Sequence, residues 1–268
     1  MSSRIANIRK RLDMIADDRT KFHSIVTTSQ HKAASSSISS EINELEFVGR
    51  VNDRVTLFEF LMTPTDDDDD MSVFPIGGMG GIGKTALVKF IYNHEFFYKH
   101  FQLRIWVKVG LYFNVKDVMQ TIIQCITDSP SCADLNSNQL KNLPKEKLQN
   151  KKCSLVLDNL CDCDYQDWHK LYDLLRCSGA KGSKIIVTTR NVRVAIIVGT
   201  VPIYHLESLF DEDCLKLLWT WAGCHHKLGE EHVIGKLSDI TEEIVNKCRR
   251  CPRAAKTLGN KLFMETDR

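Results

Sequence analysis

The amino-acid sequence predicts an α/β fold: a parallel sheet with flanking helices, followed by a small all-helical subdomain. Three observations predict it. The segment Gly78-Met79-Gly80-Gly81-Ile82-Gly83-Lys84-Thr85 fits the pattern G-x-x-x-x-G-K-[ST] and lies between an apolar run and a helical pattern. Short apolar runs then recur between stretches of helical periodicity, the alternation expected of βαβ units. From Asp211 onward the pattern is helical only.

Taken in order, the first element is an amphipathic helix over Arg4 to Phe22. Ile5, Ile8, Leu12, Ile15 and Phe22 fall at alternating three- and four-residue steps, with Arg19 in the one missing seam position, which makes a coiled-coil-like stripe. Thr27 to Ser40 is rich in Ser, Thr and Ala without apolar periodicity and reads as a linker. These features divide the chain into the end of a coiled-coil domain (1–26), a flexible linker (27–41), a phosphate-binding α/β domain (42–206) and a helical subdomain (207–268). The acidic run Asp66 to Asp70 precedes the first strand, at the sheet edge opposite the one where ligands bind in open α/β sheets, so it reads as a solvated loop rather than a metal site.

The first strand is Val73-Phe74-Pro75-Ile76, and Ala86 to Tyr92 begins the helix after the glycine-rich loop. Further strands are expected at Leu103–Val107, Cys153–Leu157, Lys184–Thr188 and Val201–Tyr204, with helices at Val115–Thr127, Leu140–Gln149 and Trp168–Arg176. In the last part, Leu215, Leu218, Trp219 and Ala222 share one helical face, and Ile234, Leu237, Ile244, Val245 and Cys248 line another. Pro252 stands where a first-turn proline belongs, ahead of Ala254, Ala255, Leu258 and Leu262.

The glycine-rich loop carries the chemistry. Gly78, Gly80, Gly81 and Gly83 let the backbone take positive φ and bring successive N–H groups onto phosphate oxygens at the positive end of a helix. Lys84 adds a point charge at the β and γ phosphates, and the Thr85 hydroxyl is placed to ligate Mg²⁺. Such a P-loop needs a carboxylate to hold Mg²⁺ through water, and Asp158 ends the run Leu155-Val156-Leu157 as a Walker B aspartate does. Together these make the sheet that of a P-loop NTPase. The separate strand Leu103–Val107 between the two motifs points to the branch with an inserted strand, in which another strand's end, Thr188-Thr189-Arg190, senses the γ-phosphate.

Composition bounds the alternatives. The 268 residues carry a net charge of +2, which asks for neither nucleic acid nor a charged membrane surface. No apolar stretch approaches the ~20 residues of a membrane span. Asp13, Asp17 and Asp18 count against a transit peptide, and a cytoplasmic location is expected. The ten cysteines are scattered and read as reduced thiols. Cys161-Asp162-Cys163, Cys248-Arg249-Arg250-Cys251 and His225-His226 beside Cys224 do not make the two spaced pairs of a structural zinc site.

At this point the residues resemble the NB-ARC domain of plant nucleotide-binding leucine-rich-repeat disease-resistance proteins of the coiled-coil class. Phe47-Val48-Gly49-Arg50 resembles the adenine-side motif, and Gly77 to Thr85 the family P-loop. His100 to Val107 resembles the next block, Lys152 to Leu160 the Walker B block, Gly182 to Arg190 the sensor block, and Cys248 to Leu258 the Gly-Leu-Pro-Leu-Ala helix start. The resemblance covers residues 42 to 268 and implies a switch that holds ADP at rest, exchanges it for ATP, and oligomerises. It implies that Val48 and Arg50 lie on the adenine side; that Gly78, Gly80, Gly81, Ile82, Gly83, Lys84, Thr85 and Ala86 hold phosphates; and that Thr85 and Asp158 serve Mg²⁺. Arg190 is then the reporter of the γ-phosphate, and Pro252 presses on the base.

Three departures matter. Asn159 stands where the family has a second aspartate, and an amide can orient water but cannot accept its proton. Arg250-Cys251 and Arg253 replace apolar or glycine positions around Pro252. The second ARC subdomain with its Met-His-Asp motif, the repeats and most of the coiled coil are not in these 268 residues. The leading expectation is therefore an ADP/ATP-binding switch segment with little turnover. The alternatives are an active P-loop ATPase, or a decoy that pairs as a homo- or hetero-oligomer through the Arg4–Phe22 helix or the nucleotide-binding domain.

Overall fold

The computed structural model describes residues 47–63, 71–110, 112–127, 137–223 and 243–266. The Arg4–Phe22 helix, the linker, the acidic run Asp66–Asp70 and the 224–242 segment lie outside the described residues. Strands β1 (Met71–Gly77), β2 (Leu103–Lys108), β3 (Cys153–Asp158), β4 (Ser183–Thr188) and β5 (Tyr204–His205) form one sheet in the order β2-β3-β4-β1-β5. Every pair is parallel. Every residue of β3 and β4 is buried, because these strands are covered on both faces, and they accordingly read as continuous apolar runs rather than alternations. The fold is thus the parallel P-loop NTPase sheet that the sequence predicts.

Helices alternate with the strands. In chain order they are α1 (Val51–Met62), α2 (Lys84–Tyr92), α3 (Glu95–His100), α4 (Val115–Thr127), α5 (Ser137–Leu148), α6 (Tyr165–Arg176) and α7 (Val192–Val198). One sheet face packs Val73, Leu155, Ile185 and Val187 against Met119, Ile122, Leu171 and Val194 of α4, α6 and α7. On the other face, Trp106 meets Tyr92 of α2 edge-on at 5.3 Å between centroids, and Phe74 lies against Phe60 of α1 at 4.6 Å. The in-register pairs Ile76 with Thr188 and Leu157 with Val187 bring the carboxyl ends of β1, β4 and β3 level. That alignment sets the glycine-rich loop after β1 beside the ends of β4 and β3.

The described residues form two compact units, one from Gly49 to Ser208 and the other containing Val48 and the chain from Leu209 onward. The second unit holds α8 (Asp211–Trp221), α9 (243–248) and α10 (Pro252–Thr266) around Leu217, Leu218, Ile244, Cys248 and Leu258. Helix α10 begins at Pro252, where a missing N–H costs no hydrogen bond.

Several sequence expectations need correction. The strand expected at Val201–Tyr204 is only Tyr204–His205, since Pro202 has no N–H to give a ladder. Helix α6 starts at Tyr165 rather than Trp168, because the Asp164 side chain caps it by accepting from Asp167 N at 2.8 Å. Helix α5 spans Ser137–Leu148, three residues earlier at its start than the expected Leu140–Gln149. On α8 the buried positions are Cys214, Leu217 and Leu218, with Ala222 buried just past its end and Leu215 and Trp219 only half-buried. Helices α1, α3 and α7 are additional to those expected.

Helix α10 crosses α8 so closely that a Cβ at Gly259 would lie 2.4 Å from the Leu218 carbonyl oxygen and 2.8 Å from Trp221 Cβ. Backbone, unlike a long side chain, cannot swing aside. Gly259→Ala is expected to destabilise this unit by about 1–3 kcal/mol, the cost of overpacking. Thermal unfolding followed by tryptophan fluorescence checks this, and an unshifted transition contradicts the packing described.

Candidate functional site

Strand β1 ends at Gly77, and the chain turns through Gly78 to Gly83 into α2. Gly78, Gly81 and Gly83 have φ of 147°, 84° and 106°, a region that side chains rarely adopt. Gly83 is the residue before α2, and the first-turn N–H groups of Lys84, Thr85 and Ala86 have no partner within the helix. The loop therefore presents backbone donors at the positive end of a helix, the arrangement that receives phosphate.

Lys84 folds back over this loop. Its Nζ donates to Gly78 O at 2.6 Å and Met79 O at 3.0 Å. Burial, with Arg190 as second cause, pushes its ammonium down to about 8. Arg190 follows β4 and lies against the loop: a Cβ on Gly80 would sit 3.1 Å from the guanidinium carbon. Two cations thus flank the loop, and a glycine is what lets the second come so near.

The opposing charge is Asp158 at the end of β3, 5% exposed. Its Oδ1 accepts from Thr85 Oγ1 at 2.7 Å and from Thr188 Oγ1 at 2.6 Å. The Thr188 hydroxyl also accepts from Asn159 N at 2.9 Å, so one threonine ties the end of β4 to both Asp158 and Asn159. Asn159 takes φ of 65°, which asparagine tolerates better than most residues. The part Thr188 plays escapes sequence reading. Its signal is a hydroxyl residue ending a buried apolar strand two positions before Arg190.

Arg50 lies in the same unit as the loop. Its guanidinium donates to Ile82 O at 2.9 Å, to Glu207 O at 2.6 Å and to Asp53 Oδ2 at 3.2 Å. These contacts staple the start of α1 to the P-loop and to the segment after β5. Ile82 itself is buried, and Ala86 is half-buried on the first turn of α2. Val48 and Pro252 belong to the other unit, where Val48 packs on the helical core and Pro252 opens α10.

Comparison with known proteins agrees with this geometry. The NB-ARC domain family matches residues 54–227. The chain belongs to that family. Relatives include the RGA4 protein of Solanum bulbocastanum, 37% identical over 262 residues, covering 97% of this chain and 26% of that protein. Disease resistance protein RGA2 of the same plant is 32% identical over 267 residues, covering 100% of this chain and 27% of that protein. The chain spans about a quarter of the length of these relatives. Among solved structures, the Aeropyrum pernix ORC2 protein, solved as ADPNP and ADP complexes, shares the fold with a TM-score of 0.56 at 17% identity over 81% of this chain and 68% of that one.

Within this NB-ARC domain the oxygens of Thr85 and Asp158 make a hard donor set of the kind Mg²⁺ takes. Among the described residues of this unit, the ends of β1, β3 and β4 and the start of α2 meet at the loop, with Arg50 bracing it through the Ile82 carbonyl. Among the described residues no helix is long and apolar enough to cross a membrane.

The depressed Lys84 gives a proton-linkage test. Between about 8 and the ordinary 10.5 the free loop holds Lys84 largely deprotonated, whereas a bound phosphate favours the ammonium. Binding of ADP at pH 9 is expected to take up close to one proton, and at pH 7 none through this group. Calorimetry in two buffers of different ionisation enthalpy measures it; zero uptake at pH 9 contradicts the placement of Lys84.

Proposed function

We propose that this NB-ARC domain binds ADP or ATP with Mg²⁺ on the P-loop and serves as the nucleotide-dependent switch of a cytoplasmic plant immune receptor, with slow or no hydrolysis. The single observation that carries the reading is the joining of Thr85, Asp158 and Thr188 through one carboxylate oxygen beside a glycine loop flanked by Lys84 and Arg190.

In this reading the N–H groups of the loop and the start of α2 take the α and β phosphates. Lys84 leaves the Gly78 and Met79 carbonyls to meet the β and γ oxygens. Thr85 and Asp158 would hold Mg²⁺, which would supply positive charge against the phosphates. Arg190, beside Gly80, reports whether a γ-phosphate is present. Through Thr188 and β4, the sensor end and the Asp158 end are mechanically joined, so a change at one is felt at the other. Signalling by oligomerisation, through the Arg4–Phe22 helix or this domain, belongs to the same proposal.

Turnover is a separate matter. A water attacking the γ-phosphate needs an acceptor for its proton, and Asn159 offers an amide where a carboxylate would serve. This disfavours the ATPase reading and suits a long-lived ATP state. A decoy that keeps the fold without nucleotide would need no such phosphate geometry.

Two substitutions test the reading. Lys84→Ala is expected to weaken ADP binding by about 2–3 kcal/mol, roughly 30- to 150-fold, as measured by calorimetry. Equal affinity for parent and variant would remove the P-loop assignment. Asn159→Asp is expected to raise single-turnover ATP hydrolysis by something approaching the ~10²–10⁴-fold of general base catalysis, with affinity little changed. A parent that hydrolyses ATP as fast as this variant restores the ATPase reading.

A further inference from the structure

The sheet edge away from the P-loop holds basic side chains for which nucleotide binding has no use. In-register pairing puts Arg104, Ser154, Lys184 and Ser72 in one row across β2, β3, β4 and β1. Residues paired in a parallel ladder project to the same face, so the row is a shared polar stripe under the aromatic layer of α1 to α3. Lys184 is only 3% exposed, and its Nζ lies 4.8 Å from the centroid of the Phe60 ring. The Arg104 guanidinium stacks 3.4 Å from the centroid of Tyr98.

Lys152 stands beside this row on a fixed backbone. Its N–H donates to Gln102 Oε1 at 2.8 Å, and its carbonyl accepts from Gln102 N at 2.9 Å. The side chain runs over Gly182, where a Cβ would lie 3.1 Å from Lys152 Cε. Its Nζ donates to Nε2 of His100, the last residue of α3. The ammonium keeps further N–H donors to offer.

Among the described residues no carboxylate pairs with Lys152, Lys184 or Arg104, and Ser154 Oγ is buried with no hydrogen-bond partner. Burying a cation is costly, and neighbouring cations raise the cost. Burial and the nearby Lys152 charge both depress Lys184, and burial, then Lys152 and Lys184, depress His100. An arriving anion would relieve all of these at once. Surface ion pairs elsewhere, such as Lys99 with Glu95 or Lys170 with Asp167, show that lysines of this chain find carboxylates where they are offered.

We propose that this edge is a second anion site, distinct from the P-loop, in which the half-exposed Lys152 with His100 takes a phosphate-class polyanion, either free or as a lipid headgroup, while the buried Lys184 adds its charge from beneath. The reading does not depend on what the P-loop binds.

The test uses the full chain in Mg²⁺ and saturating ADP. Inositol hexakisphosphate is titrated by calorimetry, and co-sedimentation is measured with phosphatidylcholine vesicles with and without phosphatidylinositol phosphate. Binding of at least one probe is expected, kept in Lys84→Ala and in the exposed neighbour Lys151→Gln, and weakened roughly tenfold or more in Lys152→Gln and Lys184→Met. Binding of the soluble probe alone assigns a free polyanion; binding to the phosphoinositide vesicles alone assigns a headgroup. Lys152→Gln decides if Lys184→Met does not fold, because Lys152 is half-exposed. Failure of both probes to bind overturns the proposal, as does binding that is lost in Lys84→Ala but kept in Lys152→Gln.

Discussion

The carboxylate of Asp158 is where the sheet and the phosphate loop are fastened together. One of its oxygens accepts from a hydroxyl on α2 and another on β4, while the residue itself ends β3. A carboxylate this buried is tolerable only with such donors, and each donor is in turn oriented by the charge it serves. The position of β4 between β1 and β3 follows as a requirement: only a strand in that place can bring Thr188 to Asp158 and Arg190 to Gly80. Arg50 performs the corresponding task behind the loop, spending its fork of donors on the Ile82 and Glu207 carbonyls.

Much of this was legible beforehand, for identifiable reasons. Buried parallel strands announce themselves as apolar runs, and a loop that must wrap phosphate needs glycines at set places, so β1 to β4 and the P-loop were readable. Short helices such as α3 and α7 were not. Their caps, His94 and Asn191, accept from Phe96 N and Arg193 N, local bonds that a periodicity over a few residues cannot reveal. Strand β5 was placed too early because Val201-Pro202-Ile203 is apolar, whereas its ladder begins only past the proline. The link between Thr188 and Asp158 joins residues 30 apart through a register that sequence alone does not state.

The turn before α10 carries local backbone strain. Arg249 and Arg250 carry φ of 48° and 52°, a conformation that glycine takes freely and a side chain takes at a cost. Arg250 recovers part of that cost by pairing with Asp211, at an exposed site where such a pair contributes little. Asn159 sits in the same backbone region with less strain. The glycine-rich loop and the basic stripe at the far edge lie at opposite ends of β4, whose residues run from Ser183 to Thr188 without an exposed side chain. Buried and central, that strand spans the distance between the two ends.

The central claim, that this loop is built to hold an adenine nucleotide, is tested most directly by asking what the purified chain carries. Heat release followed by chromatography identifies and quantifies bound nucleotide. The account predicts close to one ADP or ATP per chain, or an empty chain that takes up one on incubation with Mg²⁺ and nucleotide. A folded chain that neither carries nor takes up adenine nucleotide would contradict it.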